Sequence, residues 1–343
     1  MRYRLSLCSL ILLIAVVAKG SDVDMFLTPQ LSANSVVSTS LGGAGSALSM
    51  GIMQGTINPA LVFSYRSHVP ERGALAVGYG YDSLYNDLLL PGGVSYANHE
   101  GALGFFYSIQ RGTSGNLYEF TGNISGRLSE QVDSQGPVDY GLNIHYQNMS
   151  FSHELKDSAS ANIIKDMRER RLLFDLGFFQ TNVMDNLDFS FVLKNLVGYR
   201  WSRTKEAYAD EELADTLQDL NKSERNRGWT ASRYRTMVVG IAYHFSLGQG
   251  VEISIPMDIE VFGLFDRKIK RTTVFRSGVQ ARVLSNYYLR FGFSRAPDSV
   301  PEVFSALRKG NLFFGGAGMI VNQLQLDFYR GSENWGLTAS LDF

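Results

Sequence analysis

The 343-residue sequence holds a single cysteine, Cys8, and it lies inside the N-terminal apolar run Leu5–Ala18. Beyond that run there is no disulfide, no thiol nucleophile and no thiolate metal site. Histidine is scarce too: His68, His99, His145, His153 and His244 stand far apart, with no pair at a metal-binding spacing. No metal centre and no cofactor is implied. Neither sign of charge is in excess, with 32 Lys and Arg against 33 Asp and Glu, which argues against a nucleic-acid partner. A helical membrane bundle needs several apolar runs of about 20 residues. Only Leu5–Ala18 approaches that length, so a helical bundle is excluded.

What is present starts with that run. Arg2 and Arg4 precede it, and the small residues Ala18 and Gly20 follow, the layout of a cleaved export signal over residues 1–20. From about residue 72 apolar and polar side chains alternate in segments of roughly ten residues, the period that places every second residue on one face of a strand. Trp335, Leu337, Ala339, Leu341 and Phe343 oppose Gly336, Thr338, Ser340 and Asp342; Val251, Ile253, Ile255, Met257, Ile259 and Val261 oppose Glu252, Ser254, Pro256, Asp258 and Glu260. About 14 such segments fill residues 72–343, which suits membrane strands of about 9 to 11 residues plus turns. Short connections (98–100, 181–186, 247–250, 284–285, 321–322) alternate in parity with long ones (150–169, 198–233, 295–310), apart from 127–136, which is longer than its parity prefers. That parity, with tyrosines such as Tyr79, Tyr96, Tyr146 and Tyr243 on the apolar faces, predicts an all-β transmembrane antiparallel barrel with short turns on one side. Pro256 in mid-strand predicts a kink or bulge. Leu213, Leu217 and Leu220 at helical spacing predict a helix over Lys205–Asn221 in the longest loop.

The predicted inner face is polar and of mixed sign: Glu119, Asp139, Glu252, Asp258, Glu260 and Asp327 against Lys194, Arg276, Arg282 and Arg290. It reads as internal salt bridging and argues against a strongly anion- or cation-selective pore. Inward Phe106, Phe179 and Tyr288 serve either a greasy passage or packing on a plug. His145, with Asp139 and Asn143 on the same face, suggests either polar lining or a hydrolase triad that lacks a serine motif.

Leu41-Gly42-Gly43-Ala44-Gly45-Ser46-Ala47 followed by Asn58-Pro59-Ala60-Leu61 resembles the N-terminal hatch of the FadL family of long-chain fatty-acid transporters and the related PorV-like proteins. Lys194-Asn195-Leu196-Val197-Gly198 is similar to a strand end frequent in that group, with an inserted valine. Members usually carry acidic residues between the glycines and Asn-Pro-Ala, whereas residues 48–57 here are uncharged. The row Trp335, Leu337, Leu341 and Phe343 resembles the signal by which such barrels are recognised for assembly. The resemblance implies a 14-stranded outer-membrane barrel and a hatch over residues 21–71, with Gly42, Gly43, Gly45, Asn58 and Pro59 gating a hydrophobic small-molecule ligand. Outer-membrane lipids and the outer-membrane assembly machinery are the implied partners. A PorV-like barrel holding an exported protein by its long loops is the alternative, and a hydrolase built on His145 a third.

Overall fold

The computed structural model of the chain describes residues 35–41, 43–65, 71–82, 87–112, 115–129, 135–156, 162–208, 223–230, 235–248, 250–264, 271–297 and 310–343. The expected export signal lies outside them. Fifteen strands form one antiparallel sheet: β1 (Glu71–Asp82), β2 (Asp87–Asn98), β3 (Ala102–Gly112), β4 (Gly115–Ser129), β5 (Val138–Lys156), β6 (Asn162–Met184), β7 (Leu187–Tyr208), β8 (Ser223–Thr230), β9 (Thr236–Ser246), β10 (Val251–Phe262), β11 (Thr272–Val283), β12 (Tyr287–Ala296), β13 (Gly310–Val321), β14 (Leu324–Gly331) and β15 (Asn334–Asp342). Fourteen of them close on themselves. β15 pairs with β1 from Ala74↔Asp342 to Asp82↔Asn334, and β7 bridges β6 and β9. Closure leaves no strand edge for lipid to meet, the condition for a sheet to cross a bilayer.

The alternation read from the sequence is the inside and outside of this wall. Leu324, Leu326 and Phe328 are exposed while Gln325 and Asp327 are buried. Leu75, Val77, Tyr79, Leu103, Phe105, Ile124, Leu289, Phe291 and Leu337 continue the apolar exterior around the barrel, and Tyr79, Tyr96, Tyr146, Tyr243 and Tyr287 share it. A closed barrel with so apolar an outer face belongs in a membrane. On the side where β1 begins, the turns are tight. Leu284 (φ 51°) and Ser285 (φ 64°) make the left-handed pair that suits a two-residue hairpin, and Asn322 (φ 56°) turns β13 into β14. Asn98 Oδ1 accepts from the N–H groups of Glu100 and Gly101, both at 3.0 Å, to turn β2 into β3.

Three expectations need correction. Residues 150–156 and 162–169 are strand and not loop: β5 runs to Lys156 and β6 starts at Asn162, paired from Val138↔Gln180 to Lys156↔Asn162. Much of 198–233 is strand as well, because β7 continues to Tyr208 against β6 and β8 pairs with β7 from Gly198↔Thr230 to Lys205↔Ser223. Lys205–Tyr208 are thus strand and not the start of a helix; residues 209–221 lie outside the described residues. A strand of 23 residues extends roughly 75 Å, against a hydrocarbon core of about 30 Å, so β5–β8 rise as a ribbon beyond the membrane. Thirdly, Pro256 makes no bulge. The register is the same on either side of it, Ser254↔Gln280 and Met257↔Ser277, and the Ser277 hydroxyl donates to the Pro256 carbonyl at 3.3 Å.

The irregular place in the wall is between β6 and β7. Phe174 faces Val197 and Leu176 faces Leu193, so Asp175 alone opposes three residues. Asn195 takes a left-handed φ of 54° there, and its N–H donates to Asp175 Oδ1 at 2.7 Å. At this level β7 leaves β9, whose last pair is Lys194↔Thr236, and takes β8 instead.

Phe343 completes the closing seam: Gly73 N–H donates to its carbonyl at 2.8 Å and its own N–H to the Gly73 carbonyl at 3.0 Å. Its ring covers Gly73, where an added Cβ would lie 2.4 Å from Cε2. Deleting Phe343 is expected to lower the amount of folded, heat-modifiable barrel in the membrane far more than Asp342→Asn. Equal amounts on semi-native gels would contradict this role.

Candidate functional site

The lumen is occupied by the chain's own residues 35–65, which carry no Asp, Glu, Lys, Arg or His. A neutral segment of small and apolar residues is what a closed wall can enclose without stranding charge. Its local structure is set by caps and glycines. The short helix α1 (Val36–Ser40) starts at Ser35, whose Oγ accepts from Ser38 N–H at 3.3 Å. Gly43 (φ 86°), Gly45 (φ 147°) and Gly51 (φ 87°) take backbone conformations that L side chains rarely adopt. A 3-10 turn (Ile52–Thr56) and the single helical turn α2 (Leu61–Ser64) follow.

Asn58 and Pro59 join those two turns, and the wall is built around them. Asn58 Nδ2 donates to the carbonyls of Ser46 at 2.9 Å and Phe178 at 3.2 Å, and its Oδ1 accepts from Ala60 N–H at 3.1 Å. One buried amide thereby links the glycine stretch, the Asn-Pro-Ala turn and β6. The Pro59 carbonyl accepts from Asn123 Nδ2 at 3.1 Å and the Gly55 carbonyl from Asn143 Nδ2 at 2.9 Å, and Asn123 donates in turn to Asn143 Oδ1 at 2.7 Å. Such pairing offsets the 1–3 kcal/mol or so that each buried orphan would cost.

Wall glycines leave the space for this. An added Cβ at Gly141 would lie 2.2 Å from Pro59, at Gly177 2.2 Å from Asn58 Oδ1, at Gly278 2.8 Å from Leu41 and at Gly316 2.4 Å from Ser40. Between the polar contacts the seat is apolar. Phe106 packs with Ile52, Met53, Val62 and Phe63, and Phe179 with Ala47, Ala60 and Leu61. Of the two roles open to these inward aromatics, packing on the segment is the one they fill. Tyr288 instead lies under the Arg290 guanidinium, 5.0 Å from the ring centre. A cavity of about 20 Å³ lies between Ser35, Met50–Met53, Asp327 and Ser340, room for about one water.

The charged inner wall is internally paired. Arg290 donates to Asp327 at 2.6 Å and to Gln280 at 2.7 Å; Arg276 and Lys194 flank Glu260; Arg127 donates to Asp139 at 3.1 Å; Arg200 and Arg171 share Glu169; and Arg282 meets Glu252 at 3.0 Å nearer the rim. His145 is not joined to Asp139 or Asn143. Its Nε2 lies 2.8 Å from Asp175 Oδ2, and its Nδ1 2.8 Å from Thr121 Oγ1 and 3.2 Å from Glu119 Oε1. The hydroxyl at this histidine belongs to buried Thr121, with both ring nitrogens engaged, the geometry of a wall network.

Of the residues singled out in the sequence, Gly43, Gly45, Asn58 and Pro59 come together in the lumen, while Gly42 lies outside the described residues. Leu337, Leu341 and Phe343 are exposed on the outer face beside half-buried Trp335, whose ring meets Tyr79 at 5.4 Å. The sequence places Asp258 inward but does not show its bonds to Gly45 and Ser46, nor the luminal roles of Asn123 and Asp175. Their only signal is a polar residue at an inward position, which many wall residues share.

No protein-family model and no curated protein matches the chain. Solved structures do match in fold. The monoaromatic hydrocarbon channel CymD aligns with a TM-score of 0.57 at 13% identity, over 92% of this chain and 98% of that one. A Pseudomonas aeruginosa FadL homologue aligns with 0.57 at 11% identity, over 90% and 97%. The toluene transporter TbuX of Ralstonia pickettii aligns with 0.54 at 11%, over 89% and 96%. The chain thus has the FadL-type barrel fold, as its Asn-Pro-Ala region led us to expect.

Asn58→Ala removes the amide from three hydrogen bonds at once. At about 0.5–1.5 kcal/mol each, the expected loss is roughly 2–4 kcal/mol from the docking of residues 35–65, with the barrel intact. Limited proteolysis should cut this segment faster in the variant while the barrel core survives; identical digestion would contradict the role given to Asn58.

Proposed function

We propose that this barrel sits in the bacterial outer membrane, takes up hydrophobic small molecules, and is gated by the luminal segment acting as a hatch. The observation that carries the reading is the neutral segment 35–65 filling a wall whose charges are mostly paired with each other. A lumen so lined offers an ion neither a single-sign field nor an open bore. Apolar surface is present where the segment meets Phe106 and Phe179, so any displacement of the segment uncovers a greasy face. The reading is supported by fold partners described as a monoaromatic hydrocarbon channel and a toluene transporter. Long-chain fatty acids are one candidate cargo and monoaromatic compounds another. Within this reading residues 1–20 direct export, residues 21–71 form the hatch, and Trp335, Leu337, Leu341 and Phe343 serve the assembly machinery.

The ribbon of β5–β8 rising past the barrel favours a second reading, in which it holds an exported protein partner. Uptake separates the two. Cells or liposomes carrying wild type, Asn58→Ala, Pro59→Gly or a deletion of residues 41–57 are supplied with labelled toluene and labelled long-chain fatty acid. Wild type is expected to take up at least one of them, and the variants to change that rate by about threefold or more, the effect of roughly 0.7 kcal/mol on a gating equilibrium. If wild type neither binds nor passes any apolar compound, transport falls and the partner reading replaces it.

A further inference from the structure

Residues 25–65 contain no ionisable acid or base other than Tyr65, yet one carboxylate is bound into the middle of this segment, and it comes from the wall. Asp258 on β10 accepts from Gly45 N–H and Ser46 N–H, each at 3.0 Å from the same oxygen, Oδ2. Its other oxygen, Oδ1, accepts from the Ser46 hydroxyl at 2.8 Å. Two successive backbone N–H groups converging on one oxygen form a nest, a concavity that selects an anion. Gly45 makes it possible, since its φ of 147° lies where side-chain-bearing residues rarely go.

The wall around this contact is shaped to receive it. Gly240 is the β9 partner of Asp258 and also of Ser190 on β7. A Cβ at Gly240 would lie 2.0 Å from Ser46 Oγ, 2.4 Å from Asp258 Oδ1 and 2.7 Å from Ser190 Oγ. The Ser190 hydroxyl lies 2.7 Å from that of Ser46 and extends the contact to a third strand. Asp258, Ser46 and Ser190 are all buried. Other polar contacts between segment and wall run from Asn123 and Asn143 to single carbonyls, from Gln280 to Met50, from the Tyr65 hydroxyl to Asp342 and from Asn58 to the Phe178 carbonyl. Among the described residues, Asp258 is the wall carboxylate that takes three bonds from the segment.

We propose that Asp258 is the positioning residue that latches the luminal segment to the wall, with the Gly45–Ser46 nest as its receptor and Gly240 as the gap that admits it. Freed of this contact the segment leaves its seat while the barrel remains closed, because Asp258 keeps its β-ladder partners Gly240 and Arg276. The inference rests on the hatch reading given above, and its test is independent of transport.

The test uses a reporter thiol in a Cys8→Ser background. Ser38 is fully buried and its hydroxyl has no hydrogen-bond partner among the described residues, so Ser38→Cys costs none of the bonds described for the segment. Labelling by a water-soluble maleimide is followed on detergent-purified full-length protein, with heat-modifiability confirming the barrel. Asp258→Asn keeps the size but loses the charge and can present only one acceptor oxygen. The labelling rate is expected to rise at least about tenfold, since charge-assisted bonds to a buried group are the strong ones. Ser46→Ala, which removes the Oδ1 bond and the Ser190 contact but keeps both backbone bonds to Oδ2, is expected to give a smaller rise, about threefold. Glu252→Gln, at a rim carboxylate on the same strand paired with Arg282, should leave the rate unchanged. A folded Asp258→Asn protein labelled at the wild-type rate overturns the latch. If that variant fails to assemble, an unchanged rate in Ser46→Ala overturns it instead. Faster labelling with unaltered toluene and fatty-acid uptake upholds the latch and removes the hatch reading.

Discussion

Everything inside this barrel follows from one requirement: a backbone enclosed by a closed wall must find hydrogen-bond partners that water no longer supplies. Residues 35–65 have few regular backbone bonds of their own, only two short helical pieces and one 3-10 turn. The wall provides the rest. Asn123 and Asn143 reach carbonyls, Asp258 reaches N–H groups, and Asn58 from the segment reaches back to Phe178. Donors and acceptors on the wall are thus placed against the opposite group on the segment. The wall glycines are the steric half of the same requirement, since each hydrogen bond needs backbone and wall closer than a Cβ permits.

The remaining wall charges obey the same rule in another form. Where the segment offers nothing, acids and bases pair with each other, as in Arg290 with Asp327 and Gln280, or Arg200 with Glu169. These pairs tie strands one or two places apart across the inner face and leave no field of one sign. Asp258 is the exception that shows the logic. It faces Arg276 across the ladder, but Arg276 is engaged with Glu260, and the carboxylate is spent on the segment instead. Outside, the apolar belt and the Gly73–Phe343 seam carry no polar demand beyond the ladder itself.

This division decides what could be read from the sequence. Inside and outside of the wall were legible because side-chain direction has a period of two, as the rows from Val251 to Val261 and from Trp335 to Phe343 show. Gly43, Gly45, Asn58 and Pro59 stood out through a short motif. The upper parts of β6 and β7 do not read as strand because no apolar face marks them: Lys165, Asp166, Arg168 and Glu169 are charged, and Ser202–Glu206 are all charged or polar. Beyond the membrane neither face needs to be apolar, so the signal vanishes while the ladder continues. Asp258 was legible as inward but not as a latch, since its partners lie more than 200 residues away and only the folded register brings them together. Pro256 was misjudged because its missing N–H is tolerated by a pairing gap without any shift of register.

The central claim is that the segment, and not the wall, closes the lumen. Conductance in planar lipid bilayers tests it most directly, comparing wild type with a chain lacking residues 35–65. The account expects wild type to show no steady ion current and the deletion to open a water-filled pore across the same fourteen-stranded wall. A wild-type conductance as large as that of the deleted chain would contradict it.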